Sequence, residues 1–249
     1  MKVALFIPCY VDQFYPHVGM ATVALLEAFG VQADFPEAQT CCGQPMANSG
    51  CMDEARPLAE KYINVFRDYD YIVSPSGSCV SMVRNHYDHL VAEGDRVAVE
   101  VRQRTVELSE FLLQVLKITD VRGKFPWQVG VHQSCHGLRE LRLGPSSEVM
   151  APRDSLLQQL LGGLDGIRFS QLSRRDECCG FGGTFAVAEA GVSAMMGEDR
   201  INDHQQAGTQ VLTAGDMSCL MHLEGLIRRR GVNMRVMHFA EILAEAMAL

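Results

Sequence analysis

The chain is short of positive charge. Lys and Arg number 22 against 30 Asp and Glu, a net charge of −8 over 249 residues. Affinity for nucleic acid comes mainly from cations set against phosphate, so this balance argues against a nucleic-acid binder. The single cationic run, Arg228-Arg229-Arg230, reads as a solvated helix end, where positive charge complements the helix dipole. Long apolar runs are lacking too. No stretch approaches the roughly 20 apolar residues that span a bilayer, and the first apolar run is broken at Pro8, too early for a secretory signal. The expectation is a soluble, cytoplasmic protein. There is no P-loop, and Gly180-Phe181-Gly182-Gly183 departs from the dinucleotide fingerprint, which argues against a nicotinamide site.

What the chain does have is apolar content of 47%, charged content of 21% and nine cysteines. That is enough apolar material for a core without disulfide staples. In a reducing compartment, cysteine-rich patterns read as metal-binding or redox-active rather than as bridges. Eight of the nine fall into one pattern used twice. Cys9 is followed by Cys41-Cys42-Gly43 and then Cys79; Cys135 is followed by Cys178-Cys179-Gly180 and then Cys219. Cys51 has no counterpart and reads as a spare thiol.

Apolar runs alternate with helical periodicity. Val3–Ile7, Tyr71–Val73, Val129–Val131 and Val211-Leu212 read as buried strands. A short strand with a loop is expected over 31–40, and Ser74 to Cys79 as a loop after the third strand. Helices are expected through Val18–Phe29, Leu58–Tyr69, Val83–Tyr87, Leu108–Leu116, Leu156–Leu164 (stopped by Gly166) and Ile242–Ala246. This order implies βαβ crossovers and parallel sheets. The repeat extends beyond cysteine, since Ser109-Glu110-Phe111-Leu112 matches Ala240-Glu241-Ile242-Leu243. The expected fold class is α/β, with two pseudo-twofold-related units at 1–122 and 123–249, each a mainly parallel sheet flanked by helices.

Loops at the carboxyl ends of parallel strands line one rim of a sheet, so thiols distant in sequence can converge there. Soft thiolates select zinc, copper(I) and iron–sulfur clusters. The candidate ligands are Cys9, Cys41, Cys42 and Cys79 in one half and Cys135, Cys178, Cys179 and Cys219 in the other. A Cys–His nucleophile around Cys135 would need one activated thiol, not two matched sets of four. His132 and His136 flank Cys135, either as hydrogen-bond donors to cluster sulfur or as polar residues at a strand end. The methionines, Met195-Met196, Met217 and Met221 among them, read as core filler.

These motifs resemble the cysteine-rich CCG domain found in the B-type component of heterodisulfide reductase, the iron–sulfur subunit of glycolate oxidase and lactate-utilization proteins. The resemblance covers essentially the whole chain. Gly77-Ser78-Cys79, Cys178-Cys179-Gly180-Phe181-Gly182-Gly183-Thr184-Phe185 and Ser218-Cys219-Leu220-Met221-His222 look most like the lactate-utilization A type. It implies an iron–sulfur electron-transfer subunit, with one or two [4Fe–4S] clusters, working with lactate-utilization proteins B and C in oxidising L-lactate to pyruvate. One departure matters. The richest relatives end in Cys-x-x-Cys, giving five thiolates per centre; here Met82 and His222 stand at the second position. Four thiolates still suit a [4Fe–4S] cluster or a tetrahedral zinc, so a zinc-binding scaffold without electron transfer is the alternative. His222 is either an imidazole ligand in place of a thiolate or a helix-surface histidine. No residue stands out as a base for lactate, which would leave substrate chemistry to a partner.

Overall fold

The computed structural model describes residues 1–146 and 154–249. Eight strands, β1 (Val3–Leu5), β2 (Ala33–Asp34), β3 (Tyr71–Ser74), β4 (Thr105–Glu107), β5 (Gln128–Val131), β6 (Arg168–Phe169), β7 (Val211–Ala214) and β8 (Arg235–His238), form two all-parallel sheets. Their orders are the same, β2-β1-β3-β4 and β6-β5-β7-β8. The registers correspond as well: Val3 lies opposite Tyr71, and Val129 opposite Val211.

The crossovers of the first half carry α1 (Cys9–Phe14), α2 (Pro16–Ala28), α3 (Gln44–Asn48), α4 (Met52–Phe66), α5 (Gly77–Ser81), α6 (Arg96–Arg104) and α7 (Leu108–Glu110). Those of the second carry α8 (Leu156–Leu161), α9 (Phe185–Ala188), α10 (Ala190–Gln206), α11 (Met217–Arg230) and α12 (Phe239–Met247). π-helical turns prolong α5 over Met82–His86 and α7 over Phe111–Val115, and another, His136–Glu140, follows Cys135. The α/β class with two parallel sheets is as expected. Among the described residues, no helix is long and apolar enough to cross a membrane.

Both faces of the central strands are buried, which is why they read as unbroken apolar runs. Val3, Leu5 and Ile7 enter a core that extends through both halves, reaching Phe239, Ile242 and Leu243 of α12. Ala4 and Phe6 point the other way, into a second core with Tyr62, Phe66, Ile72 and Tyr87. The halves meet around a pseudo-twofold axis. Ser76 forms a β-bridge with Asp216, and the Gly77 N–H donates to the Gly215 carbonyl at 3.1 Å. Ser76 and Asp216 occupy equivalent places in the two repeats, three residues before Cys79 and Cys219. Equivalent positions touch one another only where a dyad passes between them.

Some expectations need correction. The helix expected to run to Gly166 stops at Leu161, capped at Gly162. Gly162-Gly163 together remove the helix propensity that the leucine periodicity suggested, and Gly166 instead takes a left-handed turn at φ +80°. Cys79 is not on a loop but in the first turn of α5. Strands β4, β6 and β8 and helices α1, α3, α6, α9 and α10 were not anticipated. β6 is two residues long, and β4 hides in a polar-looking Thr105-Val106-Glu107 although all three are buried.

Candidate metal centre

Each half presents its cysteines by the same local devices. Cys9 opens α1 directly after β1, and Cys135 stands at the head of the π turn after β5. Cys79 and Cys219 lie in the first turns of α5 and α11. The paired cysteines sit just before glycines with left-handed backbone, Gly43 at φ +83° and Gly180 at φ +89°. That conformation, unfavourable for any side chain with a Cβ, turns the amide back: Gly43 N–H donates to Cys41 Sγ at 3.3 Å, and Gly180 N–H to Cys178 Sγ at 3.4 Å. Phe181 N–H adds a bond to Cys179 Sγ at 3.4 Å.

The fold brings all eight cysteines of the pattern to the wall of one cleft of about 120 Å³. Pro8, Tyr10, Phe181 and Met217 supply apolar wall, and His136 closes part of it, its Nε2 3.2 Å from Gln44 Nε2. Cys51 is exposed and lies outside the cleft-lining set. His222, one turn beyond Cys219, is also outside that set; its Nε2 lies 3.3 Å from the Ser193 carbonyl, and its ring stands against Phe181.

The thiols are not alike. Hydrogen bonds from Cys42 and then Cys9 push the Cys41 thiol down to about 3, with the Gly43 amide helping. Bonds from Cys135 and then Cys179 push Cys178 down to about 2. Each half thus favours a thiolate at its first paired cysteine, while the neighbours that donate to it, Cys9, Cys42, Cys135 and Cys179, are pushed up by the same contacts. Thiolate is the form that binds metal. The donor set fits a soft metal or iron–sulfur centre, since hard cations would ask for oxygen.

Surrounding each quartet is a different layer. Behind the first lie Phe6, Tyr62, Phe66 and Tyr87, packed edge to face, with the Tyr87 hydroxyl donating to the Cys42 carbonyl at 2.9 Å. Behind the second, the corresponding place is taken by His132 just after β5, by Arg200, Asp203 and His204 of α10, and by Thr209, all buried. Arg200 pairs with Asp203 at 3.1 Å and contacts His204 Nε2 at 3.2 Å. His132 is pushed down to about 3, mainly by burial and then by the Arg200 charge.

Two residues on the dyad escape a reading of the motifs. Glu107 caps α7, and His238, at the matching place in the second half, caps α12. Both are wholly buried. The signal was present: the match of Glu110 with Glu241 sets Glu107 against His238. Asp216 escapes it as well. Its carboxylate accepts from Ser218 N–H at 3.2 Å and, across the dyad, from Ser78 N–H at 2.6 Å.

A family model for the cysteine-rich domain, CCG, matches residues 3–84 and 129–224, once in each half. The chain belongs to the cysteine-rich CCG-domain family. It is 40% identical to lactate utilization protein A of Bacillus subtilis (strain 168) over 246 residues, 98% of this chain and 99% of that one. It is equally similar, 40% over 250 residues, to lactate utilization protein A 2 of Bacillus cereus (strain 03BB102), covering 99% of both. Lactate utilization protein A of Halalkalibacterium halodurans is 40% identical over 245 residues, 98% of this chain and 96% of that one. The resemblance found in the motifs therefore holds over the full length, and the two CCG matches include the eight cysteines that line the cleft.

Proposed function

We propose that this CCG-family chain is an iron–sulfur electron-transfer subunit of a cytoplasmic lactate-utilization complex. The observation that carries the reading is the convergence of both cysteine quartets on one cleft. Cys9, Cys41, Cys42 and Cys79 would hold one centre, and Cys135, Cys178, Cys179 and Cys219 the other. An iron–sulfur centre, when bound, takes up and releases single electrons. The chain's own contribution is positional. Glycine amides donate to ligand sulfurs, which tunes how readily a centre is reduced, and the apolar wall limits water. Oxidation of L-lactate to pyruvate releases two electrons and two protons. The names of the full-length relatives support lactate as the source, with partners of the lactate-utilization B and C type holding the substrate chemistry.

Anaerobic reconstitution with iron and sulfide tests this. The expected result is cluster absorbance, labile sulfide, and a paramagnetic signal on reduction, with iron and sulfide reduced by half in Cys42→Ser and in Cys179→Ser. Protein that takes up iron but no labile sulfide would sink the proposal.

A zinc-binding scaffold is the second reading, and one distance favours it. Cys9 and Cys41 Sγ lie 3.9 Å apart, close to the roughly 3.8 Å that Zn–S bonds of about 2.3 Å give at tetrahedral angles. Elemental analysis of protein purified without oxygen separates the two, because the scaffold would carry two zinc atoms and no sulfide.

A further inference from the structure

A second cysteine of the Cys-x-x-Cys type is missing after both Cys79 and Cys219, where Met82 and His222 stand. Another part of the chain offers a donor to the second quartet. His132, three residues before Cys135, is wholly buried, and neither of its ring nitrogens has a hydrogen-bond partner among the described residues. Leaving a buried polar group unsatisfied forfeits its hydration with nothing in return, so such a group in a native core calls for a further partner. A ring nitrogen of His132 and the sulfurs of Cys179 and Cys219 all lie within 4.8 Å of one another.

We propose that His132 is a nitrogen ligand of the second centre. With Cys135, Cys178, Cys179 and Cys219 it makes a mixed thiolate–imidazole site, whereas the first centre has thiolates alone. This rests on the reading that the cysteines hold iron.

The pseudo-symmetry supplies an internal control. The His132 N–H bonds the Thr213 carbonyl at 2.7 Å, and the Phe6 N–H bonds the Val73 carbonyl at 2.8 Å. The two residues therefore occupy one position in the two halves. Phe6 fills it with a ring packed on Tyr62 and Phe66. Packing alone would be served by a carbon ring in both halves, so the imidazole in the second calls for a polar reason.

The test is Mössbauer spectroscopy of the full chain carrying Cys42→Ser, which leaves the second quartet intact, reconstituted with isotopically enriched iron and reduced. One iron should give a doublet distinct from the thiolate-ligated irons. That doublet should be lost in His132→Phe, the residue the first half uses, and should survive His222→Ala and His136→Ala. Uniform thiolate-type irons, or a doublet that persists in His132→Phe, would overturn the proposal while leaving the iron–sulfur reading standing. Absence of iron from the parent chain would overturn both. Should His132→Phe fail to fold, the parent with isotopically labelled histidine nitrogen decides by pulsed electron paramagnetic resonance. Strong coupling to that nitrogen supports ligation, and its absence refutes it.

Discussion

Gly43 and Gly180 occupy the same place after the paired cysteines, yet they meet different surroundings. A Cβ on Gly43 would come no closer than 3.5 Å to the Ala55 carbonyl oxygen, an ordinary contact. A Cβ on Gly180 would stand 2.5 Å from the Ser193 carbonyl oxygen and 2.8 Å from Met196 Cβ. Gly43→Ala should therefore cost only the left-handed backbone strain, about 1–2 kcal/mol. Gly180→Ala adds an overpacking term of about 1–3 kcal/mol, because the obstacle includes the backbone of α10. Denaturant unfolding of the two variants side by side checks the ranking, and equal losses would contradict it. At this scale the sequence was highly legible. The cysteines and their glycines announce soft-metal chemistry by type and spacing. The difference between the two glycines was not legible, since it depends on how closely α10 passes Gly180.

Among the elements, α5 and α11 depend on one carboxylate. Asp216 is 1% exposed, caps its own helix, and bonds the Ser78 amide of the other half. Charge-assisted bonds to backbone N–H groups at helix starts are among the stronger caps. Asp216→Ala should lower stability by about 2–4 kcal/mol, above a single exposed cap, because two helix-start amides, the buried one of Ser78 and the part-buried one of Ser218, lose their acceptor. Since Cys79 and Cys219 lie in the first turns of these two helices, metal content should fall in both halves, whereas Cys179→Ser affects one. Iron analysis of the purified variants distinguishes the two patterns. The apolar periodicity of α2, α4 and α12 revealed them in advance. Periodicity does not reveal α10, whose buried face includes Arg200, Asp203 and His204. A helix that buries charged residues as a hydrogen-bonded cluster gives no apolar stripe to find.

In the molecule as a whole, the dyad carries a pH signature. Burial pushes Glu107 up to about 8 and His238 down to about 3. The folded chain keeps a proton on Glu107 that the unfolded chain releases near its ordinary value of 4.5. The unfolded state therefore binds fewer protons between those values, and this contribution to stability is lost as pH rises toward 8. His238 acts in the opposite sense. The unfolded chain takes up a proton near 6.5 that the folded chain refuses until about 3, so stability is lost as pH falls through that window. Thermal unfolding at matched metal content should show Glu107→Gln flattening the fall toward pH 8 and leaving the acid side unchanged. An unaltered alkaline slope in that variant would contradict the buried, protonated carboxyl.

The amino-acid sequence by itself determined the class of chemistry and the doubled α/β order. Thiolate spacing and apolar alternation are local properties that need no three-dimensional context. Only the tertiary structure decided that the two quartets open onto one cleft and that Asp216 of one repeat caps a helix of the other. It also decided that Phe6 and His132 fill one position with opposite chemistry. Each of these depends on how the two repeats pack across the dyad, and that packing brings together residues more than a hundred positions apart in the chain.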